Sequence, residues 1–268
     1  MTALPLTFQS GDRSLAGTLT IPASDAPVPA AVLVSGSGPI DRDSNTKRAR
    51  LGVMRQMAEH LADHGIASLR YDKRGVGASE GDYKAAGFHD NVGDARAAVS
   101  ALRERPEVDR ASVFVVGHSE GALIATELAT ELALDPPLAG VVLLAGAAQP
   151  GKAVLRWQAE QLAGSLPTPV KLVMKLLRQD LSRTQEKRFS QLEATTTDVA
   201  RIQMVKVNAK WFREFMAHDP AESLPRVVVP VLAITGSKDI QVDPGDLGRM
   251  EDLVPTGFDG HLLNDVTH

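Results

Sequence analysis

Cysteine is absent from the 268 residues, so the chain has no disulfide framework, no thiolate nucleophile and no cysteine-based zinc site. Long apolar runs are absent too: the longest, Val141 to Ala148, falls far short of the roughly 20 residues that span a bilayer. The N-terminus, Met1-Thr2-Ala3-Leu4-Pro5, has no basic segment leading into an apolar one, so no secretory leader is expected and the expected compartment is the cytoplasm. An excess of one charge is missing as well. The 29 Lys and Arg against 33 Asp and Glu leave −4, which gives no basis for neutralising many phosphates, and no nucleic-acid partner is expected. Neither a G-x-G-x-x-G fingerprint nor a G-x-x-x-x-G-K-[ST] loop occurs; the pairs Gly36/Gly38 and Gly75/Gly77 fit neither pattern. His60, His64, His89 and His218 lack metal-ligand spacing. No nucleotide, redox or metal cofactor is expected.

Apolar residues make up 43% and charged residues 23% of the chain, enough for a sizeable core, and the length suits one large domain with an insertion. Leu4 to Phe8 and Leu15 to Ile21, joined across Ser10-Gly11-Asp12, predict an antiparallel hairpin. From about residue 30 onward short apolar runs alternate with helical stretches, the pattern of an α/β fold with a mostly parallel central sheet flanked by helices. The expected strands are Ala30 to Val34, Ile66 to Arg70, Ser112 to Val116, Gly140 to Leu144, Val227 to Ile234 and His261 to Val266, each apolar enough to be buried on both faces. Val92, Ala95, Val99 and Leu102 mark one helix, and Ala122 to Leu134 another.

Residues 150–225 break this rhythm. They show no convincing strand but several amphipathic segments, notably the stripe Val170, Val173, Met174, Leu177 and Leu181. The expectation is an inserted helical cap over 150–225 on a core domain made of 1–149 and 226–268. From Lys152 to Glu222 the charge is +4, leaving −8 on the remainder. A basic amphipathic helix is one route to a membrane surface; the simpler reading is a stripe packed on the main domain with a solvated basic face. Both tryptophans, Trp157 and Trp211, fall in this region, as core residues or as the lining of an acyl pocket.

The most specific feature is Gly117-His118-Ser119-Glu120-Gly121. It directly follows an apolar strand and directly precedes an Ala/Leu-rich helix, the context that gives a G-x-S-x-G its meaning. Glycines two positions either side of the serine permit a sharp turn that exposes its hydroxyl. Here the chain resembles the α/β-hydrolase family, over nearly its whole length. Val34-Ser35-Gly36-Ser37-Gly38-Pro39 stands where that family has its oxyanion loop, and Arg70 to Ser79 resembles its D-x-R-G-x-G-x-S turn. Pro230 to Asp239 resembles the strand that delivers the acid, and Thr267-His268 the strand-end histidine. The order Ser, Asp, His is the one the family uses.

The resemblance implies Ser119 as nucleophile, His268 as base and then acid, and Asp239 as the carboxylate that orients it. All lie just after expected strands, where open parallel sheets gather reactive groups. The backbone N–H groups of Ser37 and Glu120 are the expected oxyanion donors. Asp243, ahead of Pro244 and Asp246, competes with Asp239 but carries a helix N-cap signature. His261 competes with His268, but it begins the expected last strand whereas His268 follows its end. His118 is expected to point away from the serine, the Glu120 side chain to be exposed or near the substrate mouth, and Asp72 and Arg74 to pin a loop. The family continues past its histidine into a further helix, so the native chain is expected to extend beyond His268. The expected activity is that of a serine carboxylesterase on small to medium acyl esters, with thioester or peptide hydrolysis, or a silent ligand-binding module, as the alternatives. Oligomeric state is not readable.

Overall fold

Nine residues on each strand pair one to one in the first hairpin: β1 (Thr2–Ser10) and β2 (Arg13–Ile21) run antiparallel from Thr2 opposite Ile21 to Ser10 opposite Arg13. The connection is therefore two residues, and Gly11 supplies the left-handed φ of 59° that such a turn needs. The structure, a computed structural model, describes residues 1–47, 49–131, 134–165, 181–255 and 257–268. Among them six more strands complete one sheet: β3 (Val28–Val34), β4 (Ala67–Tyr71), β5 (Val108–His118), β6 (Gly140–Leu144), β9 (Val231–Gly236) and β10 (Phe258–Leu263). The order is β1-β2-β4-β3-β5-β6-β9-β10. Pairing is antiparallel as far as β4 and parallel from β4 to β10.

Parallel strands need crossovers, and helices provide them on both faces. They are α1 (Val53–Asp63), α2 (Phe88–Arg103), α3 (Glu120–Ala129) and α8 (Asp246–Leu253). The apolar stripe Val92, Ala95, Val99 and Leu102 of α2 is buried in the same core as Leu123, Ile124 and Leu128 of α3 and Val32, Val113 and Val115 of the sheet. On the other face Met54 and Ala58 of α1 pack on Ala31, Leu33 and Val116. This places the carboxyl ends of β3, β4, β5, β6 and β9 along one rim of the sheet.

Between β6 and β9 lie α4 (Gly151–Ser165), α5 (Leu181–Glu193), α6 (Ala209–Ala217) and the single turn α7 (Pro220–Ser223). The expectation of no strand here is overturned: β7 (Val199–Ile202) and β8 (Val205–Asn208) form an antiparallel hairpin. Its strands are four residues each, and its turn, Gln203-Met204, lacks the Asn or Gly that announces such turns. Of the amphipathic stripe, Val170, Val173, Met174 and Leu177 lie outside the described residues, and Leu181 opens α5. No helix among the described residues is long and apolar enough to cross a membrane.

Further boundaries differ from expectation: β5 runs from Val108 to His118 rather than Ser112 to Val116, and β9 from Val231 to Gly236 rather than Val227 to Ile234. α3 starts at Glu120 and ends at Ala129 rather than reaching Leu134. The last strand is Phe258–Leu263, and it is not buried on both faces: Leu262 is 49% and Leu263 44% exposed. It closes the sheet as an edge strand, and among the described residues no strand pairs with its outer side. Asp243 does not begin a helix. Its carboxylate accepts from the Gly245 N–H at 2.9 Å in a turn, and α8 starts three residues later at Asp246, whose own carboxyl is raised by burial.

Candidate active site

Ser119 sits between the end of β5 and the start of α3 with φ 57° and ψ −117°, a conformation that costs a non-glycine residue on the order of 1–3 kcal/mol. Its surroundings enforce it. The Ser119 N–H donates to the Leu144 carbonyl of β6 at 2.8 Å, and its own carbonyl accepts from Ala122 at 2.9 Å. The flanking glycines are required by contact: a Cβ on Gly117 would lie 1.9 Å from the Gly121 carbonyl oxygen, and one on Gly121 would lie 2.2 Å from that of Val34. Gly36 is also tight, since a Cβ there would come within 3.2 Å of the Ser119 Cβ. The β3 loop is thus pressed against the serine.

Asp239 follows β9, and His268 follows the loop after β10. That loop is tied back to the end of β9: Ser237 N–H donates to Leu263, and Lys238 N–H to Val266, both at 2.9 Å. A side chain on Gly236 would meet the Val266 carbonyl oxygen at 2.3 Å, so the glycine admits this close return. His268 Nδ1 lies 2.8 Å from Asp239 Oδ2, and the other oxygen, Oδ1, accepts from the N–H groups of Gln241 and Val242 at 2.7 and 3.0 Å. Burial pushes the Asp239 carboxyl up, but these hydrogen bonds and the nearby imidazole outweigh it and hold the group below its ordinary range. An ionised carboxylate only accepts, so Nδ1 carries the proton and Nε2 is left as a proton acceptor. His261 is remote from this pair in chemistry: it lies within β10, 53% exposed, beside the exposed Asp259.

His118 does not simply point away. Its ring packs on that of His268 with centroids 4.6 Å apart and planes at 51°. Burial, reinforced by the charge His268 would bear and opposed by Asp239, pushes its pKa down to about 4, so it is neutral at pH 7 and adds no second positive charge.

The Glu120 side chain is buried rather than exposed. Its carboxylate accepts from Lys73 Nζ at 2.7 Å, Asn91 Nδ2 at 3.1 Å and Trp211 Nε1 at 2.5 Å. Asp72 and Arg74 pin loops as expected: Asp72 pairs with Arg42 and accepts from the Ala78 N–H, and Arg74 is bidentate on Asp94. Lys73, Asn91 and the inward carboxylate of Glu120 were not singled out in the sequence. The readable signal for Lys73 is its position two residues after β4, at the same strand ends as Ser119.

Ser37, Ser119 and Glu120 line a cavity of about 30 Å³ together with Leu123, Val154 of α4 and Trp211 of α6, room for about one water. Trp211 stacks on Phe215, another lining residue, with centroids 4.6 Å apart and planes at 15°. Trp157 is not among the residues that line it. It sits on α4, where Val154, Leu155 and Gln158 take the inward positions instead.

The sequence model of the serine aminopeptidase S33 family matches residues 49–265. Esterase EstD of Thermotoga maritima is 30% identical over 250 residues, covering 90% of this chain and 55% of the relative. The chain therefore spans about half the length of that curated relative. Among solved structures, the α/β hydrolase GrgF from Penicillium sp. sh18 superposes with TM-score 0.69 at 16% identity, over 100% of this chain and 91% of its own. Est1E from Butyrivibrio proteoclasticus, solved with ferulic acid bound, superposes with TM-score 0.67 at 16% identity, over 98% and 90%.

Proposed function

The chain belongs to the serine aminopeptidase S33 family of α/β hydrolases, and on that premise we propose that it is a serine carboxylesterase in which Ser119, His268 and Asp239 act as a triad. Two observations support this: the strained serine at the strand-to-helix elbow after β5, and the buried, hydrogen-bonded Asp239–His268 pair at the carboxyl end of β9. Esterase EstD, 30% identical, lends the ester chemistry by likeness.

In this reading His268 Nε2 takes the Ser119 hydroxyl proton as Oγ attacks the ester carbonyl carbon. The carbonyl π pair moves to oxygen, and the N–H groups of Ser37 and Glu120 hold that oxyanion. Collapse re-forms the carbonyl and breaks the bond to the alcohol oxygen, which receives the proton from His268. Water then enters, gives its proton to Nε2 and attacks the acyl-enzyme; Ser119 leaves reprotonated and the carboxylic acid departs. Asp239 holds the imidazole tautomer and stabilises its charged form throughout.

Substrate class follows from the walls. The cavity is small and apolar on its Leu123, Val154, Leu155 and Phe215 side, which favours a short acyl group, and α4 and α6, which carry Val154, Leu155 and Phe215, must give way to admit it. An aminopeptidase needs a free carboxylate to receive the substrate's ammonium. Among the lining residues the acidic side chain is that of Glu120, and its oxygens are already taken by Lys73, Asn91 and Trp211. This argues for an ester over a peptide.

The test is fluorophosphonate labelling read by intact mass, with p-nitrophenyl acetate turnover, on the unsubstituted protein and on Ser119→Ala. Both signals in the first and neither in the second are expected. Turnover that survives in Ser119→Ala would sink the assignment.

A further inference from the structure

The buried groups around Glu120 do more than close the floor of the site. Lys73 and Glu120 side chains are 4% and 1% exposed, with Nζ 2.7 Å from Oε2. Nζ also donates to the Gly36 carbonyl oxygen at 2.6 Å. Replacing a buried ion pair with uncharged groups of similar volume is often neutral or stabilising, so stability alone gives this pair little reason to exist. Its placement does. Gly36 C=O and Ser37 N–H belong to one peptide group, which is planar and trans, so they point in opposite directions. An ammonium that fixes where the Gly36 carbonyl points also fixes where the Ser37 N–H points. It further polarises that peptide and strengthens its N–H as a donor. At the other end of the ion pair, Glu120 is the residue whose own N–H is the second oxyanion donor, and Oε1 is held by Asn91 of α2 and Trp211 of α6.

We propose that the Lys73–Glu120 ion pair positions both backbone donors of the oxyanion hole, Lys73 through the Gly36–Ser37 peptide and Glu120 through its own backbone. This rests on the serine-hydrolase reading above and deepens it. Lys73 and the Glu120 carboxylate are positioning residues: neither touches the reacting carbonyl, and both act on donors that do. A defect in them belongs in transition-state stabilisation, not in ground-state binding.

The experiment compares the unsubstituted protein with the double variant Lys73→Met/Glu120→Gln, which removes both charges and keeps an amide oxygen for Asn91 and Trp211. Thermal melting, p-nitrophenyl acetate kinetics and inhibition by phenylboronic acid, whose tetrahedral serine adduct puts an oxygen in the same hole, are read together. The expected result is a folded variant with KM within about threefold, kcat lower on the order of 10²-fold, the size of losing one oxyanion donor, and a boronate inhibition constant raised by a similar factor. A folded double variant with unsubstituted kcat, or with lost kcat but unchanged boronate affinity, overturns the proposal. If the double variant does not fold, Lys73→Gln, which retains a shorter neutral donor, is read by the same criteria. No turnover by the unsubstituted protein would instead sink the hydrolase reading, and this role with it.

Discussion

Asp239 and His268 meet at 2.8 Å across 29 residues of sequence, and the value of that contact is the tautomer it enforces. Asp239→Asn keeps the shape but offers an amide that donates as well as accepts, so the imidazole loses its reason to keep the proton on Nδ1. The expected result is a kcat lower on the order of 10⁴-fold for p-nitrophenyl acetate, by analogy with other triads, in a variant that still melts cooperatively but at a somewhat lower temperature, because the carboxylate's contribution to stability is lost. Turnover retained in Asp239→Asn would redirect attention to Asp243. That residue is a poor substitute in the structure, since its oxygens are taken by the Gly245 N–H and by Arg249.

Local elements show how chain geometry and residue type disagree where no signal marks the turn. Gln203 and Met204 both have positive φ, 49° and 67°, the pattern of a two-residue hairpin turn that favours Asn-Gly. Met204 is 85% exposed, so little burial is lost by replacing it. Gln203→Asn/Met204→Gly is expected to stabilise the protein by about 1 kcal/mol through relief of left-handed strain, a rise of about 2–4 °C in Tm for a chain this size. Calorimetry checks it, and ester turnover should not change. The serine elbow is the opposite case. Its strain is held by Leu144 and by glycines with no room for a Cβ, so there the flanking residue types announce the geometry that the serine itself is forced into.

For the whole molecule, buried imidazoles link stability to pH. The folded pKa of His118 is about 4 against 6.5 for the free group, chiefly because burial disfavours its charged form, and burial likewise lowers that of His218. Between these values the unfolded chain takes up protons that the folded chain refuses, so stability falls as pH drops from about 6.5 toward 4. The depressed carboxyl of Asp239 adds to the acid side: its contribution is present above its unfolded value near 4 and is lost below it. Urea midpoints should therefore be lower at pH 5 than at pH 7. His118→Phe should narrow that difference without removing it, because His218 still titrates. Equal midpoints at the two pH values would mean that neither imidazole is held neutral by the fold.

The amino-acid sequence by itself determined the α/β alternation, the N-terminal hairpin and the elbow, because period, apolar runs and glycine spacing are local properties that a short window already contains. Its preference for His268 over His261 rested on His261 beginning the last strand, whereas His261 lies inside β10. The tertiary structure decided what depends on distant neighbours. It showed that the last strand is a half-exposed edge, that a short hairpin sits between β6 and β9, and that Trp211 rather than Trp157 lines the cavity that Ser119 also lines. It also turned Glu120 inward. Lys73, Asn91 and Trp211 come from three separate stretches of chain, and burial is what makes their charges and N–H groups seek one carboxylate; no pattern along the sequence encodes that convergence.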